Sequence, residues 1–325
     1  PAPDLLHLRG LTVPDDEATA AAREALGRLG ALGFGALERV ITFAAGTQGR
    51  AAPTPWRQPR LLVLRGDHAG AAAAGAEPSA ERVARLRAGA SPLALLAGEA
   101  GVQVRLVETA AAAPIEDGPA MTDEATEEAL GYGWRLAEQA ADEGVDLLLL
   151  GSLGEGAETA AAAVVSVNTN SEPATLLDWV RTPQGTIDDP AWIRRAAAVR
   201  DAAHRVRATS RTAARALLSE LGGPDIATAT GVLLGATARR TPVMFDGPVA
   251  AAAALVARSL SGQARHWWLL PDHGGHPTVR RAAEALNLTP LLDLRLALGE
   301  GATVCAALPL LRGALRLAAT LRTAA

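Results

Sequence analysis

The stretch Val145–Thr159, VDLLLLGSLGEGAET, places four consecutive leucines directly before a run rich in glycine. A short apolar run without polar alternation is typical of a strand that is buried on both faces, as in a parallel sheet. Glycines that follow such a strand are typical of a tight turn into a helix. The stretch therefore predicts one strand–turn–helix unit of an α/β fold.

Four other short apolar runs share this pattern. They are Arg60–Arg65, Val102–Val107, Pro242–Phe245 and His266–Leu270. Stretches long enough for crossover helices, such as Ser79–Glu99 and Asp123–Gly144, separate them. This alternation predicts an α/β fold with an open, mostly parallel sheet and helices on both faces. Residues Asn168–Pro190 are rich in polar residues, proline and glycine, and are predicted to form a long loop over the sheet edge.

The two ends of the chain contain no predicted strand. Asp15–Ala45 and Ala302–Ala325 have the pattern of helices. We therefore predict an α/β catalytic domain at residues 46–300 and a small helical lobe that combines residues 1–45 with residues 301–325.

The composition argues against several classes of protein. The 325 residues include 31 basic residues, all of them arginine, and 35 acidic residues, with a net charge of −4 at pH 7. No basic stripe stands out, so no nucleic-acid partner is expected. The single cysteine, Cys305, excludes an internal disulfide and a multi-cysteine metal site. Neither a signal peptide nor a membrane span is recognised, which predicts a soluble, cytoplasmic protein with no membrane partner.

Glycines and polar residues follow the predicted strands, where ligands of open parallel sheets bind. These segments are Gly66–His68, Gly151–Thr159, Asp246–Gly247, Asp272–His276 and Leu298–Gly301. The Gly151–Thr159 turn suits a phosphate or ribose, because its backbone N–H groups and the following helix attract anions. A turn without a ligand is the alternative. Glu155 and Glu158 would repel a phosphate unless an arginine compensates.

Three further groups carry possible chemistry. Glu300, between two glycines before an apolar helix, is either a charge at the helix N-terminus or a general base. Asp67 and His68 suit either an acid–base pair or a turn that bonds the backbone. His273 and His276 lack a further nearby ligand for zinc, so no metal site is predicted.

Five segments along the chain are similar to known motifs and occur in the matching order. Leu288–Gly301, LTPLLDLRLALGEG, is similar to L-x-P-L-L-D-L-x-x-R-L-G-E-G. Leu221–Ile226 and Arg240–Gly247 are similar to L-G-G-x-E-I and R-x-P-V-x-x-D-G. Gly185–Asp189 resembles G-T-G-I-D-D, and Gly66–His68 resembles part of D-H-G-V. Together they resemble the nicotinate-nucleotide–dimethylbenzimidazole phosphoribosyltransferases of cobalamin lower-ligand synthesis.

The resemblance implies both a fold and a reaction. It implies a parallel-sheet α/β domain, a helical lobe from both termini, and a homodimer. Alanine-rich helices such as Ala250–Ser259 also suggest a homodimer, because their small side chains suit close helix packing. It implies transfer of phosphoribose from nicotinate mononucleotide to a benzimidazole nitrogen, with inversion of the β-nucleotide to an α-riboside and with no cofactor or metal. The family's general base is a glutamate that matches Glu300.

The resemblance also implies two sets of substrate-binding residues. The predicted donor-binding residues are Gly151, Ser152, Leu153, Gly154, Gly156, Glu158, Thr159, Arg195, Asp246 and Gly247. The predicted acceptor-binding residues are Asp67, His68, Glu81 and Leu298.

Several of these positions depart from the family pattern. Ser152 stands where the family has glutamate, Glu158 replaces a threonine, and Glu81 replaces a glutamine that touches the acceptor. The departures predict a donor site that is weak or non-standard towards nicotinate mononucleotide. The alternatives are that Arg194 or Arg195 neutralises the glutamates, that the glutamates point into solvent, or that the donor lacks the phosphate.

Three functions remain open on the sequence. The first is an active transferase that moves a phosphoribosyl or ribosyl group to a benzimidazole-like or other heteroaromatic base. The second is the standard enzyme of cobalamin synthesis with tolerated drift. The third is a catalytically degraded paralogue that binds a nucleotide or base in a regulatory or partner role. The retained Glu300 argues against the third.

Overall fold

A five-stranded parallel sheet lies at the centre of the computed structural model, which describes residues 11–28 and 33–323. The strand order is β2-β1-β3-β4-β5, and every pair is parallel. The strands are β1 (Pro59–Arg65), β2 (Gln103–Glu108), β3 (Leu147–Ser152), β4 (Val243–Phe245) and β5 (Trp268–Leu269). The predicted open, parallel α/β fold is confirmed.

Helices surround this sheet. Those in the described residues are α1 (Asp16–Arg28), α2 (Leu37–Gln48), α3 (Ser79–Arg87), α4 (Pro92–Ala100), α5 (Asp123–Asp142), α6 (Ala157–Thr169), α7 (Asp189–Ala208), α8 (Ala214–Leu217), α9 (Gly223–Ala238), α10 (Gly247–Leu260), α11 (Pro277–Leu286) and α12 (Ala302–Thr323). Short 3₁₀ turns lie at Gly70–Ala73, Pro173–Thr175 and Ala264–Trp267, and a π-helical turn lies at Leu218–Gly222.

The strands send alternate side chains into two apolar cores, one on each face of the sheet. Leu62 and Leu148 pack in the core that contains α5, α6, α9 and α10. Leu61 and Leu147 pack in the other core, with α2, α3, α4 and α12. Since successive side chains of a strand point to opposite faces, two apolar cores require an uninterrupted apolar run. This is the pattern that the leucines of β3 show.

The order of the strands creates a crevice at one edge of the sheet. From β1 the chain crosses to β2 on one side and then returns to β3 on the other side of β1. Connections that diverge in this way leave an opening beyond the carboxyl ends of the two central strands, where open α/β proteins bind ligands. The loops after β1 and β3 therefore form the walls of the candidate site.

Glycines allow α5 and α9 to pack against each other at very short range. A Cβ atom on Gly133 would lie 1.9 Å from the carbonyl oxygen of Thr228, and one on Gly231 would lie 2.1 Å from that of Leu130. Larger residues cannot occupy these positions without separating the helices. The close contact leaves α9 buried along nearly its whole length.

Two predicted elements differ in extent from the observed ones. The predicted crossover Ser79–Glu99 is two helices, because Gly89 has a φ of +70° and Ser91 caps a new helix at Pro92 by accepting a 3.1 Å hydrogen bond from the Ala94 N–H. The predicted strand His266–Leu270 is reduced to the two residues of β5, because the preceding residues form a 3₁₀ turn.

Helices α2 and α12, which come from opposite parts of the described chain, pack on the same face of the sheet. Helix α2 contacts both α1 and α12, and α12 also contacts α4. Within α12, Ala302–Thr320 is long and apolar enough to span a membrane, but 56% of it is buried, as in a core helix. The predictions for residues 1–10, 29–32 and 324–325 lie outside the described residues, and the division into a domain and a lobe stays a prediction.

Helix α10 is buried inside the chain, whereas the sequence predicted that it would lie at a homodimer interface. Residues Ala250–Ala257 are all buried, and α10 contacts α6, α9 and α11 within the same chain. The expectation that the small side chains of this helix serve a homodimer contact is therefore wrong. Alanine-rich helices suit close packing inside a chain as well as between chains.

Candidate functional site

Close contacts at glycines bring the loops at the carboxyl edge of the sheet together. A Cβ atom on Gly154 would lie 1.9 Å from the carbonyl oxygen of Gly66, which joins the loops after β3 and β1. A Cβ atom on Gly151 would lie 2.4 Å from the carbonyl oxygen of Glu300, which joins β3 to the turn before α12. The sequence-predicted segments therefore converge, as expected for the carboxyl ends of parallel strands.

Asp67 fixes the relative position of these loops. Its Oδ1 atom accepts a 2.9 Å hydrogen bond from the Glu155 N–H, and its Oδ2 atom accepts a 2.8 Å hydrogen bond from the Ser79 hydroxyl. The carboxylate thus ties the ends of β1 and β3 to the start of α3. Both of its oxygens are used by the protein itself.

His68 is buried and pairs with a carboxylate in the interior. Its Nε2 atom lies 2.9 Å from Oδ1 of Asp225, at the start of α9, and both side chains are almost fully buried. Neither Asp67 nor His68 lines the two cavities described below. The positions of Asp67 and His68 favour a structural role, in which they hold the loops in place, and do not favour direct contact with an acceptor.

A cavity of about 770 Å³, here called the central cavity, opens at this edge of the sheet. Its walls come from the first turns of α6, α10 and α11, the loop after Leu176 and the segment before Glu300. They are Glu158, Thr159, Leu177, Asp178, Trp179, Arg195, Asp246, Gly247, Pro248, His273, Gly274, His276, Val279, Leu296, Ala297 and Gly299.

Two helix N-termini lie at the central cavity. The N-cap residue of α6 is Gly156, which has no side chain, and the N-cap residue of α10 is Asp246, whose side chain does not bond the first turn. The first N–H groups of a helix have no partners within the helix, and the helix dipole adds a partial positive charge there. The arrangement suits an anionic group of a ligand.

A second cavity of about 570 Å³, here called the arginine-lined cavity, adjoins the first. It is lined by Gly75, Ala76, Glu77, Arg82, Gly154, Gly156, Glu158, Trp179, Val180, Arg181 and Arg195. Glu158, Trp179 and Arg195 line both cavities. A ligand that extends from one cavity to the other would pass these three side chains.

Arg195 is the cation best placed for an anionic ligand. Its Nε atom donates a 2.7 Å hydrogen bond to the Ala74 carbonyl, and it forms no ion pair with the described residues. Burial lowers the pKa of this guanidinium, while the charges of Glu158 and Asp188 act in the opposite direction. A partly buried arginine without an ion pair is a candidate ligand for a phosphate.

Asp246 is a buried carboxylate in the wall of the central cavity. Its Oδ2 atom accepts a 3.1 Å hydrogen bond from the Thr303 N–H in the first turn of α12. Burial raises the pKa of this carboxyl to about 6, although hydrogen bonds from Thr303 and Gly301 oppose the rise. The group therefore changes charge close to neutral pH, a property that is common in functional sites.

Glu300 lies in a strained turn beside Gly299, which lines the central cavity. Its φ is +61°, in the left-handed region that costs a non-glycine residue of order 1 kcal/mol. Its Oε1 atom accepts a 2.8 Å hydrogen bond from Nε of Arg82, and only 11% of its side chain is exposed. Gly299 lines the central cavity, whereas Arg82 lines the arginine-lined cavity. Glu300 itself lines neither cavity, but its carboxylate bonds a residue of one and its backbone adjoins a residue of the other.

The two histidines of the loop after β5 have structural partners. Nδ1 of His273 accepts a hydrogen bond from the Gly275 N–H at 2.8 Å, and Nδ1 of His276 accepts one from the Thr278 N–H at 3.2 Å. Within the described residues, no group of three or more His, Cys, Asp or Glu side chains is arranged to hold a metal ion.

The structure does not bring every predicted site residue into a cavity. Gly154, Gly156, Glu158, Thr159, Arg195, Asp246 and Gly247 line one or both cavities. The predicted site residues that line neither are Gly151, Ser152, Leu153, Glu81, Leu298, Asp67, His68 and Glu300. Leu153 is a core residue, while Glu81 and Leu298 are exposed. The predicted contacts of all these residues with substrates stay predictions.

Sequence reasoning missed two residues of the site. Trp179 is 53% exposed and lies on the predicted long loop, where a tryptophan among polar residues was the available signal. Arg82 lies on α3, and its position in the helix gives no sign of its contact with Glu300, 218 residues further along the chain. Only the folded structure shows that contact.

The fold and the site together are those of an α/β protein whose crevice at the switch point of the sheet suits an anionic ligand. Comparisons with known proteins agree. The sequence model of a family described as phosphoribosyltransferase matches residues 11–325. The nicotinate-nucleotide–dimethylbenzimidazole phosphoribosyltransferase of Mycobacterium avium (strain 104) is 38% identical, over 95% of this chain and 94% of its own length.

Further relatives give the same result. The enzyme of that name from Mycobacterium leprae (strain TN) is 36% identical, over 93% of this chain and 91% of its own length. The crystal structure of that enzyme from Thermus thermophilus has a TM-score of 0.82 at 28% identity, covering 94% of this chain and 96% of its own. The chain belongs to the nicotinate-nucleotide–dimethylbenzimidazole phosphoribosyltransferase family, which confirms the resemblance.

The carboxyl of Asp246 predicts a dependence of stability on pH. Because its pKa is about 6 in the folded chain and near 3.8 when unfolded, the folded state binds the proton more strongly. Its contribution to the free energy of unfolding therefore grows as pH falls through 6 and is complete below 3.8, by roughly 3 kcal/mol. Urea titrations of the native protein and Asp246→Asn between pH 8 and pH 4 should show this gain only in the native protein. Parallel curves for the two proteins would contradict the assignment.

Proposed function

We propose that the protein transfers the phosphoribosyl group of nicotinate mononucleotide to a nitrogen of dimethylbenzimidazole or a related heteroaromatic base, with Glu300 as the general base. The observation that supports this best is the carboxylate of Glu300, which is bonded by Arg82 of the arginine-lined cavity and follows Gly299 of the central cavity. Glu300 also matches the general base that the family resemblance implies. The names of the relatives support the donor and acceptor classes.

The geometry supports one placement of the donor. The nucleotide occupies the central cavity, with its phosphate at the uncapped first turn of α6 and beside the guanidinium of Arg195. Thr159 fixes that turn, because its hydroxyl donates a 3.0 Å hydrogen bond to the Ala72 carbonyl. The acceptor base lies next to Glu300, on the side of the arginine-lined cavity.

The chemistry needs one proton acceptor. The bond between the ribose C1 atom and the pyridinium nitrogen breaks, and its electron pair neutralises the cationic ring, so nicotinate is a good leaving group. The acceptor nitrogen forms the new bond from the opposite face, giving the α-riboside, and the acceptor ring loses one proton. A carboxylate within hydrogen-bond distance suffices to take that proton, which is the role we assign to Glu300.

Replacement of Glu300 tests this mechanism. Glu300→Gln keeps the side-chain size but cannot take a proton, so turnover should fall by about 10²–10⁴ while nicotinate mononucleotide still binds. Release of nicotinate in the presence of dimethylbenzimidazole measures turnover, and a thermal melt checks the fold. The matched control is Glu99→Gln, at an exposed position of α4, which should be fully active.

Two outcomes would count against this proposal. Full activity of Glu300→Gln would remove this residue from the mechanism. A native protein that binds the nucleotide but releases no nicotinate with any heteroaromatic base would favour a degraded paralogue with a binding role.

The charge balance of the donor site leads to a second prediction. Glu158 lines both cavities and opposes a phosphate, but Arg195 lies close enough for their charges to interact. Hydrogen bonds to charged groups contribute about 1.5–3 kcal/mol. Arg195→Gln should therefore weaken binding of nicotinate mononucleotide by roughly 10–100-fold, whereas Glu158→Thr should tighten it.

Calorimetry with the mononucleotide and with the matching riboside separates the contribution of the phosphate to the binding affinity from that of the rest of the donor. Riboside affinity should change little in Arg195→Gln. The matched control is Arg194→Gln, which removes the same charge from the adjacent, exposed position. Tight, phosphate-dependent binding that Glu158→Thr leaves unaltered would refute a repulsive role for Glu158.

We also propose that the protein is a cytoplasmic homodimer. The family resemblance supports the dimer, and Leu310 and Leu317, seven residues apart on α12, are exposed large apolar side chains that a second copy would cover. Light scattering at micromolar concentration should give twice the chain mass of 33.3 kDa. A monomeric mass would exclude the proposal.

A further inference from the structure

The contact between Arg82 and Glu300 joins two parts of the chain that are anchored independently. Helix α3 begins at Ser79, whose hydroxyl donates to Oδ2 of Asp67 at 2.8 Å and accepts from Nε of Arg65 at 3.0 Å. The start of α3 is therefore tied to the end of β1. Arg82 lies one turn into this helix, and its position follows from that anchor.

The turn that carries Glu300 is anchored on the other side. Its backbone lies directly on Gly151 of β3, and the Ala302 N–H donates a 2.8 Å hydrogen bond to the Gly299 carbonyl. The strained φ of Glu300 fixes the direction in which its side chain leaves the backbone. Rotation about the side-chain bonds remains, and the contact with Arg82 restricts it.

The contact engages one carboxylate oxygen. Nε of Arg82 lies 2.8 Å from Oε1 of Glu300, while no donor among the described residues bonds Oε2. The Arg82 side chain is 21% exposed, so the ion pair is partly shielded from water. Charge-assisted hydrogen bonds are stronger than neutral ones. A guanidinium cannot itself accept a proton at neutral pH.

We propose that Arg82 is a positioning residue for the transfer reaction: it holds Glu300 through Oε1 and leaves Oε2 to take the proton of the acceptor base. This inference rests on the proposed role of Glu300. Arg82 acts through the orientation of the carboxylate, because a nearby cation by itself weakens a base. Small errors in the position of a reacting group lower rates by factors near 10².

The test is the rate of nicotinate release at saturating nicotinate mononucleotide and dimethylbenzimidazole. Arg82→Met should lower kcat by about 10–100-fold, with the KM for nicotinate mononucleotide unchanged. Arg82→Lys should restore part of kcat, because the ammonium can still donate to Oε1. The matched control is Arg85→Met, which removes the same charge one turn further along α3, where Arg85 pairs with Glu77. It should retain full kcat.

A double mutant separates positioning from an independent effect. If Arg82 acts through Glu300, Arg82→Met combined with Glu300→Gln should be no slower than Glu300→Gln alone. Equal losses in Arg82→Met and Arg85→Met, or additive losses in the double mutant, would overturn the inference. Full activity of Glu300→Gln would overturn the proposed role of Glu300 as general base. If Glu300→Gln is impaired and Arg82→Met is fully active, only the positioning role of Arg82 is overturned.

Discussion

The contact between Gly154 and Gly66 is the constraint on which the site depends. The two central strands end side by side, and the loops that follow them touch backbone to backbone, since a Cβ atom on Gly154 would lie 1.9 Å from the Gly66 carbonyl oxygen. This contact brings the Glu155 N–H within 2.9 Å of the Asp67 carboxylate and the His68 N–H within 2.8 Å of the Glu155 carbonyl. The start of α6, and with it the anion-binding end of the helix, is placed by the same contact.

Electrostatics at the sheet edge combine attraction and repulsion. The first turns of α6 and α10 and the guanidinium of Arg195 attract an anion, while Glu158 and Asp246 oppose one. At an effective dielectric near 20, two unit charges about 4 Å apart interact by about 4 kcal/mol. Single charges of either sign therefore matter here. Protonation of Asp246 near pH 6 removes one of the opposing charges.

Much of the fold followed from the sequence, because the decisive signals are local. The leucines of Val145–Leu150 indicate a strand with two buried faces, and the glycines after it indicate the turn. The predicted length of strand β5 was too great. His266 and Trp267 have aromatic side chains of the kind found in strands, but they lie in a 3₁₀ turn at the sheet edge. The alanines of α10 gave no indication of whether their close packing lies within the chain or between chains.

The site followed from the sequence only in part. Residues at strand ends, such as Asp246 and Gly156, were predictable because topology alone places them at the carboxyl edge. The roles of Asp67 and His68 were not, because a polar residue in that position serves a ligand or a neighbouring loop equally well. Arg82 and Trp179 reach the site from a helix and a long loop, where only the tertiary structure determines which direction a side chain takes.

Glu158 and Glu300 show how similar side chains acquire different roles at one edge. Glu158 lies in the regular first turn of α6, exposed, with Arg195 nearby but no direct hydrogen bond to it among the described contacts. Glu300 has a strained backbone, a nearly buried side chain and a bonded guanidinium. Strain of this kind persists only where the surrounding structure requires it. The backbone of Glu300 packs on Gly151 and Arg82 holds its carboxylate, so the fold determines its position at two points, whereas nothing comparable restrains Glu158.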